Sequence, residues 1–305
     1  MAIAQENAVK YFGLADEYSS KENSKAVILP APYEATTSYG KGTKDGPQAI
    51  LSASQKVELF DDELWTMPYK IGIQSMPDVE IEATSNEKES PFNELFEAVK
   101  PVVEFDKFPI VIGGERSITI GAVRACVERF PDLSILHIGA HTDLRESFED
   151  SQYSHACVNF QLYKMLPQPL ITSVGVRNIS EEEVAWLEQK QPNVNLFWAR
   201  NQDNWNFNEI VESLSDSVYL TVDVSGLDPA IMPATGAPEP GGMSWNQITE
   251  LIKSLCIRKS VVGADFVELA PIPNLHFPEF TIAKLIYKTI GYRFAMELGV
   301  TKKYL

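Results

Sequence analysis

Short runs of apolar, β-branched residues recur along this chain, separated by stretches of helical period, and that alternation restricts the fold more than any other feature. The runs occupy residues 25–31, 71–74, 108–112, 133–138, 170–176, 195–198, 218–224 and 260–267. Helical spacing falls between or after them at 117–130, 180–188, 245–257 and 280–297. Strands alternating with helices imply βαβ units and a mostly parallel sheet. Several runs are apolar at nearly every position, as a sheet covered by helices on both faces requires. Ser180, followed by Glu181, Glu182 and Glu183, and Ser244, followed by Trp245, offer side-chain oxygens to the free N–H groups of helix starts. The acidic stretch 78–90 reads as a surface loop, and residues 1–305 read as one α/β domain.

Charge narrows the partners. The 26 Lys and Arg stand against 42 Asp and Glu, a net charge of −16, which repels phosphate backbones and anionic lipid. Nucleic acid and membrane surfaces are therefore excluded as expected partners. Cys126, Cys157 and Cys256 are too few and too scattered for a disulfide framework, and Cys126, inside a helical pattern, reads as core. The start, MAIAQENAVKYF, has no basic region followed by an apolar run, and no stretch reaches the roughly 18 apolar residues of a membrane span. These features predict a cytoplasmic protein.

Ligands of open parallel sheets bind beyond the carboxyl ends of the strands. The chain places polar clusters at those ends: GGERS at 113–117, GAHTDLR at 139–145, YSHACVNF at 153–160, TVDVSGLDP at 221–229 and GADFVELAP at 263–271. Core packing does not ask for apolar strands that run straight into His, Asp or Glu, because such groups are costly to bury unpaired. Gly113 and Gly114 lack phosphate-loop spacing and no Lys follows them, which argues against nucleotide binding. Asp228-Pro229 and Gly241-Gly242 read as turns.

Those five clusters, with APYEATTSYGKGTKDGPQAILSAS near the start and TGAPEPGGMSW further on, resemble the ureohydrolases, the arginase and agmatinase family, and lie closest to its agmatinase arm. The resemblance runs from about Val27 to Met296. It implies a three-layer α/β/α fold with an eight-stranded sheet, and hydrolysis of a guanidino or amidino C–N bond by hydroxide held between two manganese ions. The family pattern supplies six metal ligands. Carried onto this chain, it retains His141, Asp143 and Asp223, while Arg116, Gly139 and Ser225 stand at the other three positions. The resemblance also places His155 at the proton-shuttle position and Glu268 where the substrate guanidinium is received. Arg145 stands where arginases carry Asn, which favours the agmatinase side, and Cys157 and Val158 reshape the pocket wall.

The substitutions set the expected function. Asp143 and Asp223 contribute −2 and Arg116 +1, so two divalent ions would leave +3 and their absence −1. Low-dielectric sites magnify that imbalance. The sequence therefore predicts a guanidinium that forks onto Asp143 or Asp223, or pairs with Glu115, and no metal in the usual two-manganese form. On that reading the protein is a pseudoenzyme that binds a small guanidino or amine ligand, or regulates. The resemblance implies a homo-oligomer, trimer or hexamer, or assembly with an active paralogue. The rival reading is an active hydrolase of an agmatine-like compound that uses one weakly bound divalent metal (manganese, nickel or zinc). A third, a scaffold without ligand, predicts a pocket filled by side chains.

Overall fold

The structure is a computed structural model that describes residues 9–82 and 92–305. Most of the acidic stretch 78–90 and most of the segment MAIAQENAVKYF lie outside the described residues; residues 78–82 carry no regular structure. The strands are β1 (Ala26–Ala31), β2 (Ile73–Ser75), β3 (Phe108–Gly113), β4 (Ser134–Ile138), β5 (Ile171–Val176), β6 (Val194–Trp198), β7 (Ser217–Asp223) and β8 (Ser260–Val267). They form one eight-stranded sheet in the order β2-β1-β3-β8-β7-β4-β5-β6, with every pairing parallel. The expected α/β architecture is present.

The helices are α1 (Asp16–Ser19), α2 (Gly46–Ser54), α3 (Asn93–Glu104), α4 (Thr119–Val127), α5 (Val158–Met165), α6 (Glu181–Lys190), α7 (Phe207–Glu212), α8 (Trp245–Arg258) and α9 (Phe277–Arg293). Strand side chains alternate between two apolar layers, because successive residues of a strand point to opposite faces. Ala26 and Ile28 of β1, with Ile110 and Ile112 of β3, pack with Ile50 of α2, Ile210 of α7, Leu251 of α8 and Ile286 of α9. On the other face Val27, Leu29 and Val111 pack with Leu95 and Val99 of α3, Ile120 and Val123 of α4, and Leu162 of α5.

Capping chemistry fixes two helix starts. Ser180 and Glu183 close a capping box on α6, and Ser244 and Gln247 do the same on α8. α9 begins at Phe277, three residues before its apolar pattern suggests, since Pro278 is tolerated in a first turn. Among the described residues no helix is long and apolar enough to cross a membrane.

The sheet order positions the site. The chain leaves β3 and re-enters at β4, with β8 and β7 filling the gap between them. The carboxyl ends of four neighbouring strands, β3, β8, β7 and β4, thus converge where ligands of such sheets bind. Register sharpens this: Asp223 at the end of β7 pairs with Val267 of β8, so Glu268 follows directly beside it.

Candidate metal centre and substrate cavity

Beyond β3 the chain turns tightly. A Cβ on Gly114 would stand 2.0 Å from the Tyr33 carbonyl oxygen, so only glycine lets the two segments meet. Glu115 then turns away from the guanidinium next to it. Its carboxylate accepts from the Ala35 and Thr36 N–H groups at 2.6 Å each and from the Thr36 hydroxyl at 2.8 Å. Thr36 in turn accepts from the His155 N–H at 3.0 Å, and its Oγ1 lies 3.2 Å from His155 Nδ1. One buried carboxylate therefore fixes the loop that carries His155.

Arg116 is 1% exposed. Its Nε lies 2.9 Å from Asp143 Oδ2, its Nη2 donates to Asn159 Oδ1 at 2.7 Å, and its main-chain N–H donates to Glu268 Oε1 at 2.6 Å. The expected two-pronged fork onto one aspartate is not formed. The ion pair to Asp143 is close, but the Nε–H is not aimed along it, and Nη1 has no hydrogen-bond partner among the described residues. Asn159 takes the other branch because it reaches the same buried spot from α5 (Val158–Met165).

β4 supplies the residue that the sequence reading passed over. His137 lies inside the strand, fully buried, two residues before Gly139 and on the same face. A Cβ on Gly139 would fall 2.2 Å from His137 Nε2, so the imidazole occupies the room that a side chain at 139 would need. Its Nδ1 lies 2.9 Å from Asn159 Nδ2 and 3.1 Å from Ser173 Oγ, while Nε2 has no hydrogen-bond partner among the described residues. Burial, then the charge of Arg116, pushes its pKa well below the usual value and keeps the ring neutral.

His137, Asp143 and Asp223 each offer one ligand atom, and these atoms lie within 4.8 Å of one another. An orphaned imidazole nitrogen beside two buried carboxylates is a donor set suited to a divalent cation. The expectation that no metal is held is corrected by this cluster. It escaped the sequence reading because one donor comes from inside a strand, where a histidine passes for core. The detectable signal was a lone His in the apolar run SILHI, followed by glycine in the same-face position.

Of the three expected ligands, Asp143 and Asp223 are in this group and His141 is not. His141 sits on the rim, bridged through its backbone to Asn178, with Nε2 4.0 Å from Glu239 Oε1. Ser225 donates its N–H to Asp223 Oδ1 at 2.8 Å, and its hydroxyl accepts from the Ala140 N–H at 3.3 Å, so it ties β7 to the end of β4. Asp143 and Glu268 both have left-handed backbones, φ +51 and +71. Both acids line the cavity, and each sits in a backbone conformation that costs free energy for a residue other than glycine.

Burial raises the Asp143 carboxyl against the opposing pull of Arg116. Glu268 is raised well above the usual glutamate value by burial and by the charge of Asp223. A cation entering here would relieve both. The cavity they face is about 180 Å³, and its lining includes His141, Asp143, His155, Asp223, Glu268 and the loop residue Tyr39. It is open, against the filled pocket that a scaffold would have. Arg145 stays outside the acids, paired with Glu182 at 2.9 Å and stacked over Phe148.

Comparison with known proteins gives this geometry its relatives. Residues 24–291 match the sequence model of the Arginase family. An N(1)-aminopropylagmatine ureohydrolase of Synechocystis is 38% identical, over 93% of this chain and 94% of its own. An agmatinase of Bacillus cereus is 31% identical, over 84% and 87%. The solved agmatine ureohydrolase of Thermoplasma volcanium superposes with a TM-score of 0.84 at 29% identity, over 96% of this chain and 97% of that one. With sequence and backbone agreeing from the first strand to the last helix, this chain belongs to the arginase family.

Proposed function

We propose that this protein is an active hydrolase of a C–N bond in a linear guanidino compound of agmatine or aminopropylagmatine type. Of the two main readings drawn from sequence, the hydrolase is favoured over the pseudoenzyme, because the relatives that match nearly the whole chain are named as ureohydrolases and agmatinases. The observation that carries the proposal is the His137, Asp143 and Asp223 cluster, two of whose members line an open cavity while the buried His137 stands behind them.

The chemistry that a divalent cation supplies on these donors is Lewis acidity toward water, which a poorly electrophilic guanidinium carbon needs. The residues of the chain do the rest. Glu268, beside Asp223, receives the substrate cation, which favours its ionised form on entry. Asp143 is held by Arg116, so its carboxylate keeps one orientation. His155, anchored through Thr36 to Glu115, stands on the cavity wall where it can carry a proton to the departing nitrogen.

The test is urea release from agmatine, aminopropylagmatine and arginine by purified protein supplied with manganese, nickel or zinc. Metal-dependent urea release from one of the two amines, abolished by Asp223→Ala, is the expected result. No release from any of the three substrates with any of the three metals overturns the proposal.

A further inference from the structure

Resting on the reading that a cation occupies this site, we propose that Asn159 sets how tightly the cation is held, by fixing which nitrogen of His137 carries the proton. The orientation of the Asn159 amide follows from its neighbours. Arginine only donates, so the atom facing Arg116 Nη2 at 2.7 Å is the amide oxygen. A carbonyl only accepts, so the atom facing Thr142 O at 2.8 Å is the amide nitrogen. The second N–H of that nitrogen is then left for His137 Nδ1, 2.9 Å away.

A donor aimed at Nδ1 requires a lone pair there. The neutral imidazole must therefore carry its proton on Nε2, the ring nitrogen left for a cation because Asn159 and Ser173 take up Nδ1 and no described residue takes up Nε2. An Nε2–H is not a ligand. Ligation requires the proton to move to Nδ1, where Ser173 Oγ at 3.1 Å is able to accept it. Asn159 opposes that exchange because its own N–H then meets another donor. Metal-ligating histidines ordinarily donate their second nitrogen to an acceptor, and altering that partner changes metal affinity about 10–100-fold. Here the polarity is reversed, so Asn159 holds affinity down while Ser173 permits binding.

Two variants and one spectrum test this. In Asn159→Asp an acceptor faces Nδ1 and an oxygen still meets Arg116, while the bond to Thr142 O is lost, so calorimetric titration with Mn²⁺ should give at least about tenfold tighter binding. Ser173→Ala removes the acceptor that ligation needs, and binding should weaken by about the same factor. Nitrogen-15 spectra of the metal-free protein, which has four histidines to assign, should show the His137 proton on Nε2 in the unmodified chain and on Nδ1 in Asn159→Asp. A proton on Nδ1 in the unmodified chain overturns the proposal. Mn²⁺ affinities of both variants within twofold of the parent overturn it as well. Normal Mn²⁺ binding and the expected spectra without urea release would count against the hydrolase reading alone.

Discussion

His137 Nε2 stands 2.2 Å from where a Cβ on Gly139 would be, so the two positions share one side chain's worth of space. A ligand delivered from residue 137 and one delivered from residue 139 are therefore alternatives. The absence of a side chain at 139 leaves the room that the imidazole of this strand residue occupies beside Asp143 and Asp223.

Replacing Gly139 by Asp does not simply restore a family ligand. It should cost about 3 kcal/mol by overpacking against the imidazole. His137→Ala clears the space, so the double variant should be more stable than Gly139→Asp alone, with a coupling of about 2 kcal/mol. Urea unfolding of the four proteins measures this, and additive effects would show that the two side chains do not compete.

Arg116 holds Asp143 and Asn159 together without solvent. Arg116→Met leaves a buried carboxylate unpaired and should lower stability by about 3–5 kcal/mol. Arg116→Lys should recover only part of this, because an ammonium does not reproduce the planar fork that reaches both partners. Denaturant midpoints give the comparison. An unchanged midpoint in Arg116→Met would mean that the pair contributes nothing to holding the strand ends.

Glu115 reaches His155 through Thr36. Glu115→Gln replaces one acceptor oxygen by a donor facing N–H or hydroxyl groups, which loosens the 35–36 loop. Turnover should fall about tenfold or more, since a shift of a proton carrier by 1 Å is costly, while Mn²⁺ affinity stays unchanged. Equal losses in both would place Glu115 in the metal centre itself.

Far from the cavity, Lys288 lies 2.8 Å from Glu63 and 3.1 Å from Asp61, and Lys253 lies 3.1 Å from Glu63. Tyr292 donates to Glu63 at 2.6 Å. Burial by itself would raise the Glu63 carboxyl, but hydrogen bonds from Lys288 and Tyr292 outweigh it and bring it down to about 2. An acid depressed in the folded state stabilises above its unfolded pKa, about 4.3, and loses that contribution as pH falls toward 2. The melting temperature of Glu63→Gln should therefore lie below the parent at pH 6 and converge with it as pH drops through that window. A constant gap across the window would remove the carboxylate from this account.

The strands were legible because burial on both faces leaves a local mark, a run of apolar residues, and all eight observed strands overlap runs visible in the sequence. Helix starts at Ser180 and Ser244 were legible for the same reason: a cap is a contact between residues three apart. Helices α3 and α5 leave a weaker mark, since Pro101 interrupts one and a polar Asn159 and Gln161 are buried in the other. The polar clusters marked the edge of the sheet on which the cavity lies, because all strands of a parallel sheet end on the same side; the strand order then decides which of those ends adjoin.

What only the tertiary structure decided is which of those polar groups meet. The sequence by itself determined a parallel sheet, its covering helices and a family; it assigned Arg116 a carboxylate without choosing one, and it named His141, Asp143 and Asp223 as the residual ligands of a site expected to hold no metal in the usual form. Packing chose Asp143 and Asn159 for the guanidinium and set His137 beside the two aspartates, with His141 on the wall of the same cavity. The reason is that pattern along a chain records whether a side chain is buried, whereas the partner of a buried polar group comes from another strand or helix. Here that partner is set by the order in which β3, β8, β7 and β4 lie side by side.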